Sequence, residues 1–320
     1  MEKRSSKYLM FDRPHKINMR YIVKIVSYPI FNIWYKLLCS FIPKDHRTCK
    51  YTVSICSIFK NESKNLIEWI EYHLIVGVEH FYLYNNNSSD NYEEILKPYI
   101  ESNIVTLVEW PPYPGQCSAY NDCWEKHKNS SQWIAFIDCD EFICPRYNQN
   151  ITDFLNSYSN YPIVLMYWLM FGTSGIFIRK EGKCMIEQLT SCYEKPINIG
   201  KCIINTRFQI LPFDKSRIHI QTALFHSFEI PPINYDRNFI VRDIHRINTF
   251  PMSIQLNHYW SRFYSDYLEK QKRGGGISGQ WITDNVFLRN ENHNKAKDFL
   301  IFRYLIQLKI KLKEKGYKIE

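Results

Sequence analysis

Strand-like runs alternating with amphipathic helical segments begin at residue 51, and this alternation constrains the fold more than any other feature of the chain. Tyr51–Phe59 is rich in β-branched and aromatic residues, as a strand requires. Behind it Leu66, Ile70 and Leu74 recur at helical spacing, with Ile67 and Ile75 beside them. That helix has Asn61 or Ser63 available as its cap and Gly77 as its stop. His80–Asn85 reads as a second strand, and Asp90 with Glu93 reads as a capping box for a helix over 92–100. A third strand over 104–110, a helix over 118–128 and a fourth strand over 133–138 complete the series. Four strands joined by helices of this length imply an α/β fold: a mostly parallel, Rossmann-like central sheet flanked by helices, with right-handed crossovers. Ligands of such sheets sit beyond the carboxyl ends of the strands. The loops 60–62, 85–90, 111–116 and 138–141 therefore share one rim. The second half is less regular. Residues 162–171 form an apolar strand ending in FGTSG, short strands continue to residue 227, and LNHYWSRFYSDYLEKQKRGGG closes the region.

Charge divides the chain into three parts. The net charge of +9 splits into +8 over residues 1–50, −3 over 51–290 and +4 over 291–320. The expected organisation is thus a basic, aromatic N-terminal segment (1–50), a catalytic-size domain (51–290) and a basic C-terminal helix (291–320). A core without positive excess excludes a nucleic-acid groove, and the basic ends suit an anionic surface. Residues 21–43 are long and apolar enough to span a bilayer, but Lys24, Pro29 and Lys36 interrupt them and no cleavage pattern follows. An interfacial helix is the better reading, with Tyr28, Trp34 and Tyr35 at headgroup level and the lysines snorkelling. Packing on the main domain is the alternative. Ten cysteines without a CxxC pair indicate reduced thiols in a cytoplasmic setting, peripheral at the inner face of the membrane.

The segment WIAFIDCDEF places Asp138 and Asp140 where an apolar strand emerges at the rim. If the strand stays extended, both carboxylates project to the same side. Two adjacent carboxylates need a cation between them. A hard divalent ion, Mn²⁺ or Mg²⁺, meets that need and takes its remaining ligands from substrate phosphate. It would neutralise charge developing on a leaving diphosphate. Cys139, between them, points the other way and has no base beside it in sequence.

FKNESKNLIEWIEYHLIVGVEHFYLYNNNSSD, GQCSAYNDCWEKHKNSSQWIAFIDCDEF, FGTSG and NHYWSRFYSDYLEKQKRG occur in an order that resembles glycosyltransferase family 92 and its bacterial relatives, nucleotide-sugar enzymes of the GT-A fold. The resemblance runs over about residues 50–275. It implies metal-dependent, inverting transfer of a hexose, often galactose, from a UDP-sugar to a glycan or lipid-linked oligosaccharide acceptor at the cell surface. It also implies site residues. Asp138, Asp140 and His258 match metal positions, while Lys60, Asn61, Glu62, Asn86, Asp90 and Gln116 match positions around the nucleotide. Asn85-Asn86-Asn87 stands where an acid is frequent, and Arg262 stands where lysine is usual. Lys270 and Arg273 add positive charge or form a solvated helix face. Inversion needs a carboxylate base. Glu187 lies where relatives place it, with Asp284 and Asp243 as rivals.

Several signals are set aside. Gly274, Gly276 and Gly279 fit GxGxxG but follow a polar helix, so a mobile lid is the better reading than a dinucleotide loop. The sequons at Asn61, Asn129 and Asn150 are read as chance. Trp168 and Phe171 either stack on a sugar or fill the core, and His226 approaches the site or does not. Two other functional classes stay in view: nucleotidyl transfer on a similar sheet, and a non-catalytic membrane-associated glycan-binding protein.

Overall fold

The computed structural model describes residues 19–43, 45–226, 228–241, 244–273 and 283–320. The first half follows the alternation closely. β1 (Tyr51–Phe59), α2 (Ser63–Val76), β2 (His80–Asn85), α3 (Tyr92–Glu101), β3 (Val105–Glu109), α4 (Gln116–His127) and β4 (Ser131–Phe136) succeed one another, preceded by α1 (Met19–Ser40). Gly77 ends α2 in a left-handed conformation (φ 101°) and donates its N–H to Leu74. The second half contributes β5 (Glu141–Pro145), α5 (Ile151–Asn156), β6 (Ile163–Met170), α6 (Met185–Gln188), β7 (Ser191–Cys192) and β8 (Gly200–Asn205). β9 (Gln209–Ile210), β10 (Ala223–Phe225), β11 (Phe228–Ile230) and β12 (Ile254–His258) follow, then α7 (Tyr264–Arg273), α8 (Asp284–Asn292), β13 (Ala296–Lys297), a 3₁₀ turn (Leu300–Tyr304) and α9 (Leu305–Glu314).

The central sheet has the order β3-β2-β1-β4-β8-β6-β12-β5. β1 to β4 are mutually parallel. β8 runs against both β4 and β6, β12 runs with β6, and β5 runs against β12. Six of these eight strands therefore share one direction. The chain steps outward from β1 to β3, then returns to place β4 on the other side of β1. This reversal opens a crevice between the carboxyl ends of β1 and β4, where open α/β sheets bind ligands. Gly200 permits the tight β8–β6 pairing, since a Cβ there would lie 1.8 Å from the Met166 carbonyl oxygen.

Burial explains the strand composition. Val53, Ile55, Phe81, Leu83, Ile134, Ala135, Val164, Leu165, Ile203 and Ile204 are wholly buried because helices or loops cover both faces. α9 packs on α2, with Leu308 and Leu312 buried; its Lys309 pairs with Glu187 (2.7 Å), and Lys315, just past its end, pairs with Glu71 (3.3 Å). All ten cysteines are free thiols.

Two local expectations are corrected. No capping box forms at α3, where Asn91 takes the cap position without a side-chain bond. Asp90 instead accepts the Ser63 N–H at the start of α2 (2.8 Å). β4 ends at Phe136, and residues 138–141 form a turn closed by Glu141 N–H to the Asp138 carbonyl (3.0 Å). The extended geometry invoked for Asp138 and Asp140 does not persist, because the chain must reverse here to enter β5.

Candidate active site

A cleft of about 360 Å³ opens at the β1 side of the rim. Asn61, Ser63, Asp90, Arg262, Asp266 and Lys270 are among the residues that line it. The loop after β1 is held by the loop after β2. Asn61, at φ 55°, donates its N–H to Ser88 Oγ (2.9 Å) and accepts the Ser89 N–H on Oδ1 (2.7 Å). Arg262 is also left-handed, at φ 50°. Non-glycine residues adopt this conformation at a cost of about 1–2 kcal/mol, and such strain tends to collect at functional sites. Asp90 caps α2 with Oδ2, while its buried Oδ1 has no partner. Lys60 stands half-buried at the start of the same loop.

Glu62 and Arg262 are both buried, and the Arg262 guanidinium donates to the Glu62 carboxylate and to the Cys139 carbonyl (3.2 Å). This ion pair joins the β1 loop to the 138–141 turn from a position two hundred residues away. Burial would lower Arg262, but Glu62 and Asp140 raise it above its ordinary value. Asn86 donates to the carbonyls of Trp110 (2.6 Å) and Pro112 (2.8 Å), so it braces the loop after β3.

The two aspartates face different cations. Asp138 accepts from Gln116 Nε2 (2.5 Å) and Tyr120 OH (3.1 Å), and Lys201 Nζ lies 3.1 Å from its Oδ2 without hydrogen-bond alignment. Asp140 pairs with Lys270 Nζ (2.8 Å), and its Oδ1 lies 3.5 Å from His258 Nε2. Burial alone would raise Asp140, but Lys270, His258 and Arg262 together hold it well below the usual carboxylate range. Glu141, wholly buried, accepts the Asp138 N–H (2.9 Å). Burial pushes its carboxyl well above the ordinary value, with Lys201 opposing. Lys201 is itself fully buried, and Asp138 and Glu141 outweigh that burial to raise it. Cys139 Sγ is buried 3.3 Å from Ser57 Oγ.

β12 delivers His258 beside this turn by pairing with Glu141 on one side and Met170 on the other. The Trp168 ring lies 4.5 Å from the His258 ring and 5.0 Å from that of His219. Trp168 Nε1, His219 Nδ1 and His258 Nδ1 are buried near the aspartates and make no hydrogen bond within the described chain. Burial, aided by Lys201, lowers His219 to about 4. Phe171 packs into the core against Tyr259 (4.6 Å). Lys201, Glu141 and His219 were missed by sequence reasoning. The available signal for Lys201 was a lysine inside the apolar run Gly200–Asn205.

The remaining candidates are not all brought together. Glu187 lies on α6 against Lys309 (2.7 Å). Asp284 opens α8 and accepts from Gln271 Nε2 (3.0 Å) and Tyr267 OH (3.4 Å) of α7. His226 follows β10 with its ring against Phe225. Asp243, Gly274, Gly276, Gly279 and the Arg273 side chain lie outside the described residues. Among the described residues, no three His, Cys, Asp or Glu side chains converge as a preformed metal cage. Asp140 and His258 do fit a hard divalent ion as a pair of donors 3.5 Å apart, with the other positions left to water and phosphate.

The sequence pattern of glycosyltransferase family 92 matches residues 49–211, just over half of the chain. A family 92 protein of Oryza sativa subsp. japonica is 35% identical over 120 residues, covering 37% of this chain and 20% of that protein. An Arabidopsis thaliana protein named galactan beta-1,4-galactosyltransferase is 30% identical, covering 36% of this chain and 25% of that protein. The chain thus spans a fifth to a quarter of the length of these curated relatives. Among solved structures, residues 1–349 of Staphylococcus aureus TarS match at 14% identity and a TM-score of 0.33, covering 48% of this chain and 47% of that one.

Proposed function

Because the chain belongs to glycosyltransferase family 92, we propose that it transfers a hexose, galactose in the first instance, from a UDP-sugar to a glycan or lipid-linked oligosaccharide acceptor with inversion. The observation that carries this reading is the turn at residues 138–141: two aspartates at the switch point of the sheet, each against its own cation, beside a cleft that Arg262 and Lys270 line. Galactose is favoured by the likeness to the Arabidopsis galactosyltransferase.

Each residue then has a task. Lys270 and Arg262 supply positive charge for a diphosphate, and Lys270 can exchange its contact with Asp140 for one with phosphate. Asp138, oriented by Gln116 and Tyr120, accepts a hydroxyl of the donor. Asp140 and His258 would hold Mn²⁺ or Mg²⁺, and the ion, when bound, neutralises the departing diphosphate. The partnerless nitrogens of Trp168, His219 and His258 are donors or acceptors for sugar hydroxyls. Of the two described carboxylates considered as base, Asp284 touches α7, the helix that brings Lys270 to the cleft, whereas Glu187 is neutralised by Lys309.

Incubation with a panel of UDP-sugars and Mn²⁺ tests the proposal. Release of UDP with sugar transferred or hydrolysed is the expected result. Pyrophosphate as product would assign nucleotidyl transfer instead. The absence of metal-linked UDP binding in calorimetry would leave only a non-catalytic glycan-binding role.

A further inference from the structure

α1 is the helix, among those described, long and apolar enough to cross a membrane. Its inner side is fastened to the domain. Tyr28 OH donates to the Phe239 carbonyl (3.1 Å), Phe239 N–H donates to Asn32 Oδ1 (3.0 Å), and the Tyr35 and Phe239 rings meet at 5.1 Å. Cys39 and Ile42 are buried, and Arg207 holds the Pro43 carbonyl (2.6 Å) just beyond the helix end. Apart from the Trp34 ring, which meets that of Phe228 at 5.9 Å, the outer side has no cover among the described residues. Met19, Val26, Ile30, Ile33, Leu37 and Phe41 are 54–82% exposed, and Ile22, Val23 and Trp34 are exposed beside them. At 3.6 residues per turn these nine positions fall within an arc of about 120°. Arg20 flanks the arc on one edge and Lys36 on the other, Lys24 lies further round towards the inner side, and the helix contains no acidic residue.

We propose that this face of α1 lies flat in the surface of an anionic lipid bilayer and anchors the protein there without spanning it. A helix half fastened and half apolar, with cations at both edges of the apolar arc, matches the boundary between headgroups and acyl chains. Spanning would strip away the Tyr28, Asn32 and Cys39 contacts and carry Lys24 and Lys36 into hydrocarbon. A second copy of the chain is a poorer occupant, because a two-fold pairing of this face sets its cationic edges against one another. Anionic headgroups complement those same edges.

The full chain is co-sedimented with phosphatidylcholine vesicles, with and without phosphatidylglycerol, at low salt. Wild type is expected in the pellet with anionic vesicles, and the bound fraction should fall at least about tenfold for V26E/I30E. Arg20→Glu with Lys36→Glu is expected to weaken binding to anionic vesicles and reduce its salt dependence. Val26 and Ile30 are exposed, Arg20 is exposed and Lys36 is half-buried, and none of them lines the cleft, so far-UV circular dichroism and donor hydrolysis should match wild type in both variants, which separates this test from that of the active site. Wild type remaining in the supernatant, V26E/I30E binding like wild type, or a wild-type dimer that V26E/I30E turns into a monomer would each overturn the proposal.

Discussion

Lys201→Met deletes a fully buried ammonium and keeps most of its aliphatic volume. The ammonium lies 3.1 Å from Asp138 Oδ2, and the Asp138 side chain is 31% exposed. At an effective dielectric near 20, two unit charges about 3 Å apart attract by about 5 kcal/mol. Removing the lysine also removes its own desolvation penalty, and water reaching Asp138 relieves part of the stranded charge. The expected loss is therefore near the lower end of the ~3–5 kcal/mol seen when one partner of a buried pair is deleted, at about 3 kcal/mol. Urea unfolding followed by tryptophan fluorescence gives the value as a shift in midpoint at constant slope. Asp138→Asn in the Lys201→Met background should restore part of the loss, with a coupling energy of about 2 kcal/mol. A loss below about 1 kcal/mol, or a double variant as unstable as the sum of the singles, would refute the electrostatic account of this centre.

Asp140→Ala is expected to lower UDP release by about a thousandfold, a loss of roughly 4 kcal/mol of transition-state stabilisation, and a chelator should have a similar effect on wild type; full activity in chelator would exclude the metal. Asp284→Asn should lower kcat by at least about a hundredfold, whereas Glu187→Gln, which breaks the pair with Lys309, should act on stability with kcat near wild type; the reverse pattern in a steady-state assay would exchange their roles. Stability should fall in mild acid. Burial lowers His73 to about 3 and His80 to about 4, and His73 Nε2 accepts the Ile143 N–H, which only a neutral ring can do. Both folded values lie below the unfolded one of about 6.5, so the unfolded chain takes up protons first. The stabilisation is complete above about pH 6.5 and is lost as pH falls towards 4, at about 1.4 kcal/mol per pH unit for each ring. A urea midpoint unchanged or higher at pH 5.5 than at pH 7.5 would contradict this.

The part of the fold written in short-range pattern was legible before any coordinates. β1 and β2 begin and end where their β-branched and aromatic runs do, and Gly77 stops α2 as its φ of 101° requires. Asp138 and Asp140 stand out because a polar pair after a buried strand is a local event in sequence. Other features depended on contacts between distant segments. Asp90 and Glu93 have the spacing of a capping box, yet Asp90 serves α2 instead, because Glu62, the residue in the α2 cap position, is already committed to Arg262. Nothing in the neighbours of Lys201 marks its partner; only the place of β8 between β4 and β6 sets its ammonium against Asp138. Residues 258, 262 and 270 reach the turn at 138–141 across more than a hundred residues. Periodicity and propensity are set by neighbours three or four positions away. Which strand lies beside which, and which charge meets which, is decided by burying every apolar face at once, and that condition exists only in the folded chain.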